Sequence, residues 1–93
     1  MDIEHWRGLI DATDLKILDL INKRAEYSIK IGGIKEKENL PIYSPQREAW
    51  IIERLIAENS GPLTAEGVRR IFERVIDECR RIEKETCKNR EKE

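Results

Sequence analysis

The sequence holds one histidine, two cysteines and few aromatic residues (5%), and it has no Cys-x-x-Cys pair. With His5 the only imidazole, a zinc or other nitrogen–sulfur metal site has too few ligands. Cys79 and Cys87 are eight residues apart on one helical segment. That is about 12 Å along the axis, too far for a disulfide within the helix. A charge of one sign is also lacking. Lys+Arg number 18 and Asp+Glu 19, which argues against a general nucleic-acid binder. No apolar run is long enough to span a membrane. The N-terminus, MDIEHWRGLIDATD, is acidic and interrupted by charge, unlike a signal peptide. The expected compartment is the cytoplasm. Strand-like alternation is nearly absent, and so are internal repeats and low-complexity linkers.

The helical period fills the space these absences leave. The 93 residues suffice for one domain, 1–93, but not for a large core. The periodicity predicts three helices. The first runs from about Ile3 to Asn39 and is ended by Pro41. Gly32-Gly33 is a weak point within it, at about 1 kcal/mol per glycine relative to alanine. Ser44-Pro45 reads as N-cap and first residue of a second helix reaching about Glu58. Ile51, Ile52, Leu55 and Ile56 share one of its faces. After NSGPLT, Thr64 caps a third helix that carries Val68, Ile71, Phe72, Val75, Ile76, Cys79 and Ile82 at helical spacing. Its charged end is expected to fray from about residue 86. A first helix of some 36 residues would be about 54 Å long. The two shorter helices cannot cover its apolar stripe unaided. The expectation is an all-α, intertwined homodimer built around the long helix.

One position in that stripe is anomalous. Counting in sevens gives Ile3, Ile10, Ile17, Arg24 and Ile31. A cation in an apolar seam is expensive unless an anion meets it. Either Arg24 has an internal partner, or its pocket awaits an anion from outside. Lys35, eleven residues on, lies about 20° away around an ideal helix and looks out of the same face. Arg47 and Glu48 open the second helix, and Glu83 lies on the apolar side of the third. Internal salt bridges could account for any one of these. All five together fit a polar pocket for a small anion better, because a small core gains little from so many buried charges. No nucleophile–base pair, phosphate-cradling glycine loop or metal set is present. The chemistry available is positioning and electrostatic stabilisation.

The segments WRGLIDATDLKILDLINKRAEYSIKIGGIK, PIYSPQRE and RRIFERVIDECRRIEKE, in this order, resemble the all-helical class of chorismate mutase. The most specific features are the Arg7–Asp14–Arg24–Lys35 spacing and the Arg47-Glu48 pair twelve residues later. The resemblance implies rearrangement of chorismate, a small dianion, to prephenate in aromatic amino-acid biosynthesis, without cofactor or covalent catalysis. It implies that Arg24 clamps a substrate carboxylate, with a planar fork suited to that group. Lys35 would reach the ether oxygen and a carboxylate, Glu48 would accept from the ring hydroxyl, and Arg47 would organise the carboxylates. Arg7 would serve the other subunit's site. Geometry supports this last role: Arg7 is about 26 Å along one helix from Arg24, so both reach one small ligand only from different chains.

Three positions depart from the family pattern. Ser44 stands where many members have aspartate, Cys79 where a serine often binds the ring carboxylate, and Glu83 where a glutamine often donates to the ether oxygen. A thiol is a weaker donor, and an ionised glutamate cannot donate at all. Burial raises the pKa of Glu83 and neighbouring cations lower it; the sequence does not decide between them. Trp6 and Trp50 read as packing residues, Trp6 closing the dimer around Arg7. Tyr43 caps the interhelical loop, and His5 is solvated. Asp14 either holds an arginine or pairs on the helix surface. Two other readings fit the chain: an isochorismate pyruvate lyase on the same scaffold, and a non-catalytic helical dimerisation or regulatory module. A fused or associated aromatic-pathway enzyme is also compatible with the family pattern.

Overall fold

A computed structural model describes residues 2–91, with side chains to residue 87. Its regular structure is three helices: α1 (Ile3–Lys37), α2 (Pro45–Glu58) and α3 (Ala65–Glu91). Each starts on a short polar side chain that accepts from an otherwise unsatisfied backbone N–H. Asp2 accepts from the N–H of His5 at 3.0 Å. Ser44 accepts from that of Arg47 at 3.4 Å, with Pro45 in the first turn. Thr64 accepts from that of Gly67 at 3.0 Å.

The end of α1 sets up the loop that later reaches the site. Asn39 adopts a left-handed conformation, φ 56°. The N–H of Leu40 then bonds back to the Lys35 carbonyl at 2.8 Å and that of Asn39 to Glu36 at 3.3 Å. This double closure satisfies the terminal carbonyls, and Pro41 prevents any continuation. The helix therefore stops at Lys37, two residues short of the expected Asn39.

Gly32-Gly33 does not interrupt α1. Gly32 is buried because α3 passes close by. A Cβ at that position would lie 2.5 Å from Cγ of Glu83, and the Cys87 thiol donates to the Gly32 carbonyl at 3.7 Å. The glycine costs helix propensity but gives Glu83 its space.

Among the described residues, α3 alone packs against both other helices. Its inward stripe is Val68, Phe72, Ile76, Cys79, Glu83 and Cys87, spaced by threes and fours. Val68, Ile76, Cys79 and Cys87 are buried there with Ile52 of α2. Ile71 and Ile82, expected on the same face, are instead exposed. Neither cysteine forms a disulfide among the described residues. The fraying expected from residue 86 falls mainly on side chains outside the described residues, while the backbone is helical to Glu91.

The chain is a thin plate of 55 × 29 × 14 Å with a radius of gyration of 16.5 Å. A compact chain of this length would have about 12 Å. A thickness of 14 Å leaves room for one layer of helices, whereas a stable domain needs two. Residues 2–20 are exposed throughout. They include Ile3, Ile10 and Ile17 of the seam, together with Trp6, Leu9 and Leu20. No described helix is long and apolar enough to cross a membrane.

Candidate active site

A cavity of about 250 Å³ opens where α1, the 38–44 loop, the start of α2 and the middle of α3 meet. From α1 it receives Arg24, Ser28, Ile31 and Lys35, which lie at helical spacing on one face. The loop and α2 supply Ile42, Ser44, Arg47, Glu48 and Ile51. From α3 come Ile76, Cys79, Arg80 and Glu83. Seven of the eight residues implicated by the sequence thus share one pocket. Arg7 is the exception: it is exposed on the far part of α1, where it donates to Glu4 at 2.6 Å.

Lys35 and Glu83 form the floor. The ammonium of Lys35 donates to the Ile42 carbonyl at 2.9 Å and lies 3.9 Å from Oε1 of Glu83. The double closure at Asn39 and Leu40 is what folds Ile42 back into reach. Glu83 is only 7% exposed, and its Oε1 is buried without a hydrogen bond. Burial pushes its carboxyl above the usual carboxylate range, and the opposing charge of Lys35 offsets this only in part. The competition left open by the sequence therefore resolves toward a raised pKa, and in its protonated form the group can donate a hydrogen bond.

On the other wall, Nη1 of Arg80 meets Oε2 of Glu48 at 2.5 Å. Its second nitrogen holds Asp77 at 2.9 Å. The guanidinium lies 4.7 Å from the centroid of the Tyr43 ring. Tyr43 is thus a platform for Arg80 rather than a cap on the loop. Hydrogen bonding to Glu48, more than the two carboxylates' charge, raises the already high pKa of Arg80. Neither Arg24 nor Arg47 has an ion-pair partner among the described residues. Arg47 stacks on Trp50 at 4.7 Å, and Arg54 lies on the same ring. Trp50 is exposed in the single chain, with two guanidiniums over its ring.

Sequence reasoning misses Arg80. The signal is present: it lies four residues after Ile76 and three before Glu83, on the face that enters the pocket. Four cations surround the cavity against two carboxylates, Glu48 and Glu83. The formal surplus is two positive charges, or three when Glu83 carries a proton. Both unpaired guanidiniums are available for planar, bidentate anions. No group of three or more potential metal-binding side chains occurs among the described residues.

The family model for chorismate mutase type II matches residues 6–84. The chain is 38% identical over 78 residues to a bifunctional chorismate mutase/prephenate dehydratase of Neisseria gonorrhoeae, covering 84% of this chain and 21% of that protein. It thus spans about a fifth of the length of such relatives. Among solved structures, it resembles chorismate mutase from Helicobacter pylori in complex with prephenate. The TM-score is 0.86 with 34% identity, over 92% of this chain and 93% of that one. Form II of chorismate mutase from Thermus thermophilus also gives a TM-score of 0.86, with 30% identity over 88% and 93% of the two chains.

Proposed function

This chain belongs to the type II chorismate mutase family, and we propose that its pocket rearranges chorismate to prephenate. The observation that carries the reading is the pair of guanidiniums without an ion-pair partner among the described residues, Arg24 and Arg47, beside half-buried Lys35 and buried Glu83. In the reaction the ether C–O bond breaks as a C–C bond forms within the same molecule, and no proton or co-reactant is exchanged. Arg24 and Arg47 bind the two carboxylates and hold the enolpyruvyl arm over the ring, removing rotational entropy. Negative charge develops on the ether oxygen as its bond to the ring lengthens. Lys35 donates there, as does Glu83 when it carries a proton, and these bonds strengthen in the transition state. Glu48 accepts from the ring hydroxyl. Ser44 and Cys79 line the same space as weak polar contacts.

Arg7 completes the site of a second copy. The single-layer shape and the apolar residues exposed along the first half of α1 support an intertwined homodimer. In that arrangement one chain's Trp6 and Arg7 lie against the partner's pocket. The same reading places the enzyme in the cytoplasm, in Phe/Tyr biosynthesis. The bifunctional relatives support a fused or associated enzyme that consumes the product.

Loss of chorismate absorbance with purified protein tests the activity, with the product identified chromatographically. Prephenate is the expected product. Release of pyruvate from isochorismate, with chorismate untouched, would instead identify a lyase. A thermal shift with a bicyclic transition-state mimic adds a test of binding, since a ligand of the folded state raises its stability. No shift and no turnover would point to a non-catalytic dimerisation or regulatory module.

A further inference from the structure

The mechanism above gives Arg80 no task, although it lines the cavity and is the most heavily engaged cation there. Its three contacts come from three parts of the fold: Glu48 on α2, Asp77 one turn back on α3, and the Tyr43 ring in the loop. A guanidinium held on three sides is a fixed point, and Glu48 is bonded to it through one oxygen, Oε2. The other oxygen, Oε1, remains available to accept. A flexible glutamate in a pocket with Arg24 and Arg47 would otherwise be drawn to one of them. Capture would misplace the acceptor and block a cation needed by the substrate.

Building on the chorismate mutase reading of this pocket, we propose that Arg80 is a positioning residue. It pins Glu48 toward the ring hydroxyl and so leaves Arg24 and Arg47 free for the substrate's carboxylates. Lysine cannot replace it, because one ammonium does not bridge Glu48 and Asp77 in a plane stacked on Tyr43.

The test compares full-length wild type with Arg80→Met, Arg80→Lys, Glu48→Gln and the Arg80→Met/Glu48→Gln double variant. Arg80→Met is expected to lower kcat/KM about 100-fold, the scale of a misplaced contact group, with a clear rise in KM. Arg80→Lys should recover only part of this. In the Glu48→Gln background the same Arg80→Met change should have a much smaller effect, because no carboxylate remains to be pinned or captured. An equal fold-loss in both backgrounds would overturn the proposal, as would wild-type kinetics in Arg80→Met. If Arg80→Met does not fold, Arg80→Lys and its combination with Glu48→Gln carry the same comparison. A crystal structure of the single Arg80 variant reads the pinning without activity. Glu48 should then lie within ion-pair distance of Arg24 or Arg47, and an unmoved Glu48 carboxylate would refute the idea. Failure of the wild type to turn over chorismate would defeat the mutase reading alone, leaving this structural test intact.

Discussion

Glu83→Gln replaces a buried carboxyl with a permanent donor of nearly the same shape. In the wild type, burial raises the carboxyl's pKa above its ordinary 4.5 and Lys35 opposes the rise. At low pH the protonated group donates to the ether oxygen. As pH climbs through the raised pKa it ionises and repels the developing negative charge. Catalytic efficiency should therefore fall with rising pH, about tenfold per unit beyond the pKa. The floor should lie roughly 10²–10³ lower, the usual value of one such donor. Glu83→Gln should hold its plateau across the same range. Stability should follow the same sign. Between pH 4.5 and the raised pKa, the folded state holds more protons than the unfolded one, so stability declines as pH rises through that window. Above it, the ionised carboxylate keeps a buried Oε1 without a hydrogen bond, a net cost to the folded state. Glu83→Gln should remove that slope. The assay is a pair of kcat/KM profiles from about pH 5 to 9, with urea unfolding of the ligand-free proteins at the same pH values. Parallel kinetic profiles would remove Glu83 from the reacting oxygen. Parallel stability profiles would show that its burial carries no such penalty.

Lys35→Met should lower kcat/KM by at least ~4 kcal/mol, several orders of magnitude, while circular dichroism shows the helices intact; near-normal activity in the folded variant would exclude the proposed floor of the site. Gly32→Ala gains up to about 1 kcal/mol of helix propensity but drives a methyl against Glu83 Cγ. A net loss of about 1–3 kcal/mol with reduced kcat is expected, and a more stable, fully active variant would contradict the close approach of α1 and α3. If the exposed face of α1 is covered by a second copy, the melting temperature should rise with protein concentration; a constant value for a monomer in sedimentation would refute the dimer.

Much of this arrangement is legible in the sequence because it is local. The seven-residue isoleucine spacing marks the face of α1 on which Arg24 is anomalous, and Ser44-Pro45 and Thr64 mark the helix starts. Arg24 and Lys35 can be placed together because one rigid helix fixes both. What sequence reasoning misses depends on contacts between elements. Gly32 reads as a defect until Glu83 of α3 is seen against it. Tyr43 reads as a loop residue until Arg80 is seen on its ring. Arg80 goes unremarked in the sequence because its partner Glu48 belongs to another helix. Trp50 reads as a packing residue until Arg47 and Arg54 of its own helix are seen over its ring. The end of α1 moves by two residues because Asn39 turns left-handed, a local choice that Pro41 alone does not specify.

Mixing two inactive variants tests the central claim, a dianion pocket completed by two chains. Arg7→Ala and Arg24→Ala homodimers should each be nearly inactive on chorismate. After unfolding and refolding an equimolar mixture, half the dimers should be mixed, each with one intact site and one doubly damaged site. Activity should then recover to about a quarter of the wild-type value for the same total protein, as two-fold symmetry requires. No recovery, with subunit exchange verified by mass spectrometry, would contradict the shared site.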